Sequence, residues 1–290
     1  MRFLQSGMLF LGLFLAASGC KLPKPKYTSP EGYNLKDPDK FNMPSSLLEI
    51  SGIALRDGNS DTVYSIQDED GRLFRQKWHV KKQQHMKFGP KGDYEDLAIF
   101  HDRFFILKSN GTLYSFPYSE SVKEESAQVK ERKKLVPKGE YESLYADPQN
   151  NKLYLLCKSC QVDKKKKQIT GYVLQYDPAT DSLTGPESFR LDLNQLKQIN
   201  TRLKTSLKPS ALTKNPRTGE WYILSSANKL LIVTDQNWKI KQAHKLNSST
   251  FNQPEGLAFD KNFNLFISNE GDEITDGNII KFNYVPKEKK

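Results

Sequence analysis

The sequence is poor in the residues that most often carry catalysis. It holds four histidines, His79, His85, His101 and His244, and none stands in a metal-ligand or triad spacing. No GxSxG motif is present, so nucleophilic catalysis finds no specific support. Cysteine is scarcer still, with three in the chain: Cys20, Cys157 and Cys160. A zinc site needs more soft ligands than the CKSC pair supplies. That pair also lacks the βαβ setting of a thioredoxin-like motif. It reads as two cysteines without a catalytic role, able to pair as a disulfide in an oxidising compartment. Long apolar runs are missing too. The one exception, Met8–Ala17, is ten residues and rises about 15 Å as a helix, half the hydrocarbon thickness of a bilayer. A membrane-spanning helix is therefore not expected. Recognisable DNA- or RNA-binding motifs are absent as well, despite a formal charge of +10. The dense basic runs, Lys130–Lys134, Lys164–Lys167 and Lys287–Lys290, read as solvated loops and a tail, and no nucleic-acid partner is expected.

What is present begins with the leader. Arg2, the short apolar run, and the small residues Ala16, Ala17, Ser18 and Gly19 stand directly before Cys20. A charged segment, a short apolar segment and small residues before a cut describe a secretory signal. A cysteine at the cut resembles the bacterial lipobox, with Ala17 where Leu is usual. Residues 1–19 are thus expected to be a lipoprotein signal and Cys20 the acylated first residue of the mature chain. Several acyl chains anchor more firmly than one. Residues 20–38, with Pro23, Pro25 and Pro30, fit an extended tether. Lys21 stands where Asp would retain such a protein in the inner membrane of enterobacteria, so an outer-membrane, periplasmic or cell-surface location is favoured.

Beyond the tether the sequence repeats. EISGIALRD, DYEDLAIFHD, EYESLYADP, KPSALTKNP and QPEGLAFDK share a Ser or Glu, a small residue or Asp, then Ile or Leu. The Ser/Glu positions, Ser51, Glu95, Glu142, Ser210 and Glu255, lie 44, 47, 68 and 45 residues apart. Each motif is followed by short β-branched and aromatic runs such as TVYSIQDE, RFFILKSN and NLFISNEGD, separated by Asp, Asn, Gly and Pro. Four strands per unit of about 45 residues is the signature of a β-propeller. A sandwich or a single large barrel does not explain the period. The prediction is an all-β domain over residues 39–285, with five four-stranded blades and six as the alternative count. The long third interval holds QVDKKKKQ and a Leu193, Leu196, Ile199, Leu203 pattern, which predicts an extended loop and a helix of roughly three turns near 193–206. The fifth unit has three strands, and the stretch near Asp39–Met43 is expected to supply the fourth, closing the ring and removing an edge. Residues 286–290 form the basic tail.

The stretches EISGIAL, DYEDLAIF, PSALTKNPRTGEWYILSSAN and QPEGLAFDKNFNLFISNEGD resemble the SdiA-regulated family of bacterial propeller proteins, over about Leu48 to Tyr284. The resemblance implies a periplasmic or cell-surface propeller, often a lipoprotein, with no settled activity. It also implies that a divalent cation, calcium in some relatives, can sit near the channel. The CxxC, the lysine-rich third-unit loop and Ser at two of the five repeat positions depart from that pattern.

In a propeller the start of each inner strand and the end of the next strand share one face. Glu95, Glu142, Glu255, Asp68 and Glu270 are therefore expected at one channel mouth, as candidate calcium ligands. Lys108, Lys158, Ser210, Ser226 and Asn269 would form the ligand rim. Two readings of this mouth stay open. The carboxylates hold a metal, or Lys108 and Lys158 pair with them in a plain polar scaffold. At the level of function the choice is between a monomeric binding or scaffold module for a small molecule or protein, and a metal-dependent phosphoesterase-like hydrolase.

Overall fold

A computed structural model describes residues 27–80 and 82–287. Residues 1–26, which hold the signal and Cys20, and residues 288–290 at the end of the chain lie outside the described residues. Twenty strands form five antiparallel four-stranded sheets. The chain enters through β1 (Asp39–Asn42). Blade one is β2 (Ile50–Ala54), β3 (Val63–Gln67), β4 (Arg72–Gln76) and β5 (Gln84–Lys87). Blade two is β6 (Tyr94–Phe100), β7 (Arg103–Lys108), β8 (Leu113–Pro117) and β9 (Lys130–Arg132). Blade three is β10 (Gly139–Asp147), β11 (Lys152–Cys160), β12 (Gln168–Asp177) and β13 (Ser182–Asp192). Blade four is β14 (Ala211–Lys214), β15 (Trp221–Ser225), β16 (Leu230–Thr234) and β17 (Ile240–Lys245). Blade five is β18 (Gln253–Phe259), β19 (Leu265–Glu270) and β20 (Asn278–Phe282), completed by β1. The protein is a five-bladed propeller, as the repeat count predicts, and the expected closure is present. Asp39 to Asn42 pair with Lys281 to Asn278 in register.

The strands are apolar on both faces because each blade is sandwiched between two others. Leu230–Thr234 is buried throughout. Five apolar clusters result, one at each blade interface. Period-two alternation divides each strand between two clusters. On β15, Trp221 and Ile223 pack toward blade three, and Tyr222 and Leu224 toward blade five. Aromatic stacking reinforces two of the joints. Phe189, Trp238 and Trp221 stack between blades three and four, with centroids 3.8 and 4.5 Å apart. Phe41 and Trp78 meet at 4.4 Å where the ring closes.

Two expectations are corrected. The helix α1 covers Gln195–Ile199 only, one turn and a half rather than three. Asn200 turns extended, at φ −154° and ψ 116°, and its side chain accepts the Arg202 backbone N–H at 2.9 Å. This local bond competes with helix continuation. Leu193, Leu196 and Leu203 are nevertheless buried between blades three and four, while Ile199 is 37% exposed. The long interval is filled by this turn-rich strap and by the long strands of blade three, nine to eleven residues each. The second correction concerns the tether, whose later half is packed. Tyr33 and Leu35 are buried between blades four and five, the Tyr33 hydroxyl donates to the Phe263 carbonyl at 2.8 Å, and Thr28 Oγ1 lies 2.8 Å from His244 Nδ1. Large apolar side chains in a proline-bearing segment favour such docking over free extension. No helix among the described residues is long and apolar enough to cross a membrane.

Candidate functional site at the channel mouth

The repeated Ser/Glu position has a structural meaning that its spacing does not show. It falls on a β-bulge at the start of the inner strand. The pairing of β6 with β7 skips Glu95, that of β10 with β11 skips Glu142, and that of β18 with β19 skips Glu255. The pairing of β2 with β3 is likewise interrupted across Ser51 and Gly52. A bulge leaves one residue out of the ladder and re-aims its side chain. On β11 the residue out of register is Lys158, opposite the Glu140–Tyr141 step and next to the Glu142 bulge. Ser210, in blade four, lies just before β14, and its N–H bonds Leu224 O at 2.9 Å.

The structure brings all five predicted carboxylates to this mouth. For Asp68, Glu95, Glu255 and Glu270 burial is the main reason that the affinity for protons rises, and neighbouring groups then modify it. Asp68 is pushed up to about 6 by burial, then by Glu49, Glu69 and Asp93. Glu95 is pushed up to about 9 by burial and by Asp93. Glu270 rises to about 8 by burial, Glu255, Asp68 and Glu49. Glu255 also rises by burial, while the Ser226 and Ser210 hydroxyls, Lys158 and Lys229 act in the opposite direction. Lys158 forms a close ion pair with Glu142 and a second, at 3.3 Å, with Glu140. Its charge also reaches Glu95, Glu255 and Glu270. Lys158 is thus the cation common to the cluster.

The other predicted rim residues divide. Lys108 sits over the Tyr94 ring, 5.1 Å from its centroid. Ser226 is half-buried at the mouth. Ser210 is buried and ties blade four to blade five, its hydroxyl donating to Pro254 O at 2.8 Å. Asn269 is 0% exposed, and its amide donates to Asn278 Oδ1 at 3.0 Å. The structure joins Cys157 and Cys160 as a disulfide, with Cα atoms 5.9 Å apart, beside Gly139. Sequence reasoning missed Glu49, Asp93, Glu140 and Lys229. Asp93 stands two residues before Glu95 and Glu140 two before Glu142, a spacing that could have found both. Asp96, just after a bulge, was also missed. It binds two backbone amides, Leu97 N at 2.8 Å and Leu144 N at 2.7 Å, and joins blade two to blade three.

Among the described residues no three acidic, His or Cys side chains converge closely enough to hold a metal ion. With Glu142 held by Lys158 and the other four carboxyls raised, the charge of the mouth depends on pH and grows more negative toward mild alkali.

Residues 138–273 match the SdiA-regulated family. The match spans blade three to the end of β19, and so covers the Glu142, Ser210 and Glu255 motifs, while EISGIAL and DYEDLAIF lie outside it. No curated protein matches the chain. Among solved structures, a luciferin-regenerating enzyme shares 10% identity over 86% of this chain and 96% of its own, with a TM-score of 0.51. A streptogramin B lyase shares 12% identity over 86% and 98%, with a TM-score of 0.47. A virginiamycin B lyase from Staphylococcus aureus shares 12% over 81% and 66%, with a TM-score of 0.44. At such identities the likeness concerns the fold alone.

The raised carboxyls set a direction for stability against pH. Each holds its proton in the folded state at pH values where the unfolded chain has lost it. Their contribution is therefore full below the ordinary carboxylate range. It is lost as pH rises through about 6 for Asp68, about 8 for Glu270 and about 9 for Glu95. The melting temperature is expected to fall by roughly 5 °C between mildly acidic and mildly alkaline buffer, since about 1 kcal/mol shifts a domain of this size by about 2–4 °C. Glu95→Gln should flatten that slope. A wild-type melting temperature that rises over the same range would contradict it.

Proposed function

We propose that this chain is an extracytoplasmic binding module, held at a membrane through lipid on Cys20, whose channel mouth takes a positively charged ligand. The observation that carries this reading is the set of bulge-borne carboxylates, Glu95, Glu142 and Glu255, near enough to Asp68, Glu270 and Lys158 for their charges to act on one another. Buried like charges repel, and a bound cation relieves the repulsion. An amine or a hydrated divalent cation suits a mouth without a closed cage. Calcium, expected from the sequence, is one member of that class.

Calorimetric titration with spermidine and, separately, with calcium chloride tests the ligand. Binding is expected to strengthen from mildly acidic to mildly alkaline pH, as Glu270 and Glu95 release their protons to solvent and the cation takes their place. Glu255→Gln should weaken it about tenfold, the scale of one charge-assisted contact. Absence of binding by either cation, or affinity indifferent to Glu255→Gln, would sink the reading. The anchor is tested separately by labelled palmitate, which should enter the full chain and be lost in Cys20→Ala.

A further inference from the structure

A second feature lies beside the mouth and is independent of the carboxylates. A groove of about 430 Å³ runs between the 160–168 loop and the 205–208 segment. Ile169, Leu193 and Leu207 are its buried apolar residues. Lys164, Lys166 and Lys208 line it as exposed side chains. Lys158 lines it too, but its charge is engaged by Glu142 and Glu140. None of the other three lysines has an ion-pair partner among the described residues. The acid in the groove is Asp163, and both its oxygens are occupied. Oδ1 accepts from Gln168 Nε2 at 2.8 Å and Thr170 Oγ1 at 2.6 Å, and Oδ2 accepts from Thr170 N at 2.7 Å.

The lysine run is solvated, as expected, but it is tied down. Asp163 pins it to β12, Lys166 N bonds Asp163 O at 2.8 Å, and Leu193 N bonds Lys167 O at 2.9 Å. The Cys157–Cys160 disulfide fixes its entry. Holding like charges in an ordered loop over an apolar floor is unfavourable unless something neutralises them. Gln161, Thr205 and Ser206 add donors on the same walls. Lysine ammonium groups bind phosphate as point charges, and hydroxyl and amide donors complete the contacts.

We propose that this groove binds a phosphate-bearing group, with Lys164, Lys166 and Lys208 on the anion and Ile169, Leu193 and Leu207 beneath an adjoining apolar part. The group can belong to a soluble phosphate ester or to a lipid headgroup, and two probes separate these sources. Inorganic pyrophosphate is titrated into the protein at low salt. Vesicles of phosphatidylglycerol, against phosphatidylcholine, are tested by co-sedimentation. Wild type is expected to bind at least one anionic probe, more weakly as salt rises. Replacing Lys164, Lys166 and Lys208 together with Gln should weaken binding about tenfold or more. Replacing Lys239, Lys241 and Lys261 with Gln, the same loss of charge elsewhere, should change it less than about threefold. Binding of pyrophosphate assigns a soluble phosphate, and binding of vesicles alone assigns a membrane source. Failure of wild type to bind either probe overturns the proposal, as does equal weakening in the two triple variants. If the groove variant does not melt cooperatively, Lys208→Gln alone is read by the same criterion.

Discussion

A protein shortened to begin at Pro44 is expected to lose its cooperative melting transition. The deletion removes β1, whose four residues pair with β20, and Met43, whose N–H bonds Gly277 O at 2.7 Å. It removes the Phe41 ring from Trp78 and Met43 from the core between blades five and one. It also removes Tyr33 and Leu35 from the core between blades four and five. Four ladder bonds contribute about 1 kcal/mol each and buried apolar side chains about 1.5–3 kcal/mol each. The loss is therefore comparable with the whole stability of an ordinary domain, about 5–15 kcal/mol. It also opens the ring and leaves β20 as an unpaired edge, which favours aggregation. Circular dichroism and calorimetry check this. A chain beginning at Tyr27 should melt as the full chain does. Retention of a sharp transition within a few degrees by the shorter chain would show that closure is dispensable.

The closing strand was legible in the sequence because the fifth unit lacked a strand and Asp39–Met43 stood where one was missing. Blade number was legible for a similar reason, since the period of a repeat survives any uncertainty about single strands. The convergence of Asp68, Glu95, Glu142, Glu255 and Glu270 followed from aligning strand starts and strand ends. What did not follow was why those positions are special. A bulge is a relation between two strands, and Glu95 reads as an ordinary strand residue until Tyr94 and Asp96 are seen paired with Lys108 and Leu107. The strap between blades three and four failed in another way. Leu193, Leu196 and Leu203 carry a helical period and are indeed buried, but burial at that spacing does not require a helix. Asn200 ends it through a side-chain bond that periodicity ignores. The proposed phosphate groove was hidden by distance, because Lys164 and Lys208 line it from positions 44 apart in the chain.

The joint between blades two and three gives the second large effect. Asp96 is 3% exposed, and its two oxygens accept the backbone N–H groups of Leu97 and Leu144. Asp96→Ala leaves both amides buried without acceptors and opens a void beside Gly52. The expected loss is about 2–5 kcal/mol, of which each orphaned donor contributes about 1–3 kcal/mol. The melting temperature should fall by roughly 10 °C. Burial drives the Asp96 carboxyl well above the usual carboxylate range, and the two amides only partly oppose this. Asp96→Asn retains the shape and one acceptor oxygen, so it should be milder than Asp96→Ala. Gly52→Ala attacks the same joint from the other side. A Cβ there would lie 2.7 Å from Asp96 Cα and 2.8 Å from Leu97 N, which backbone atoms cannot relieve by a rotamer change. All three variants should lose stability, in the order Asn least. Asp96→Ala melting within about 2 °C of wild type would show that water replaces the carboxyl and that Asp96 is not what joins blades two and three.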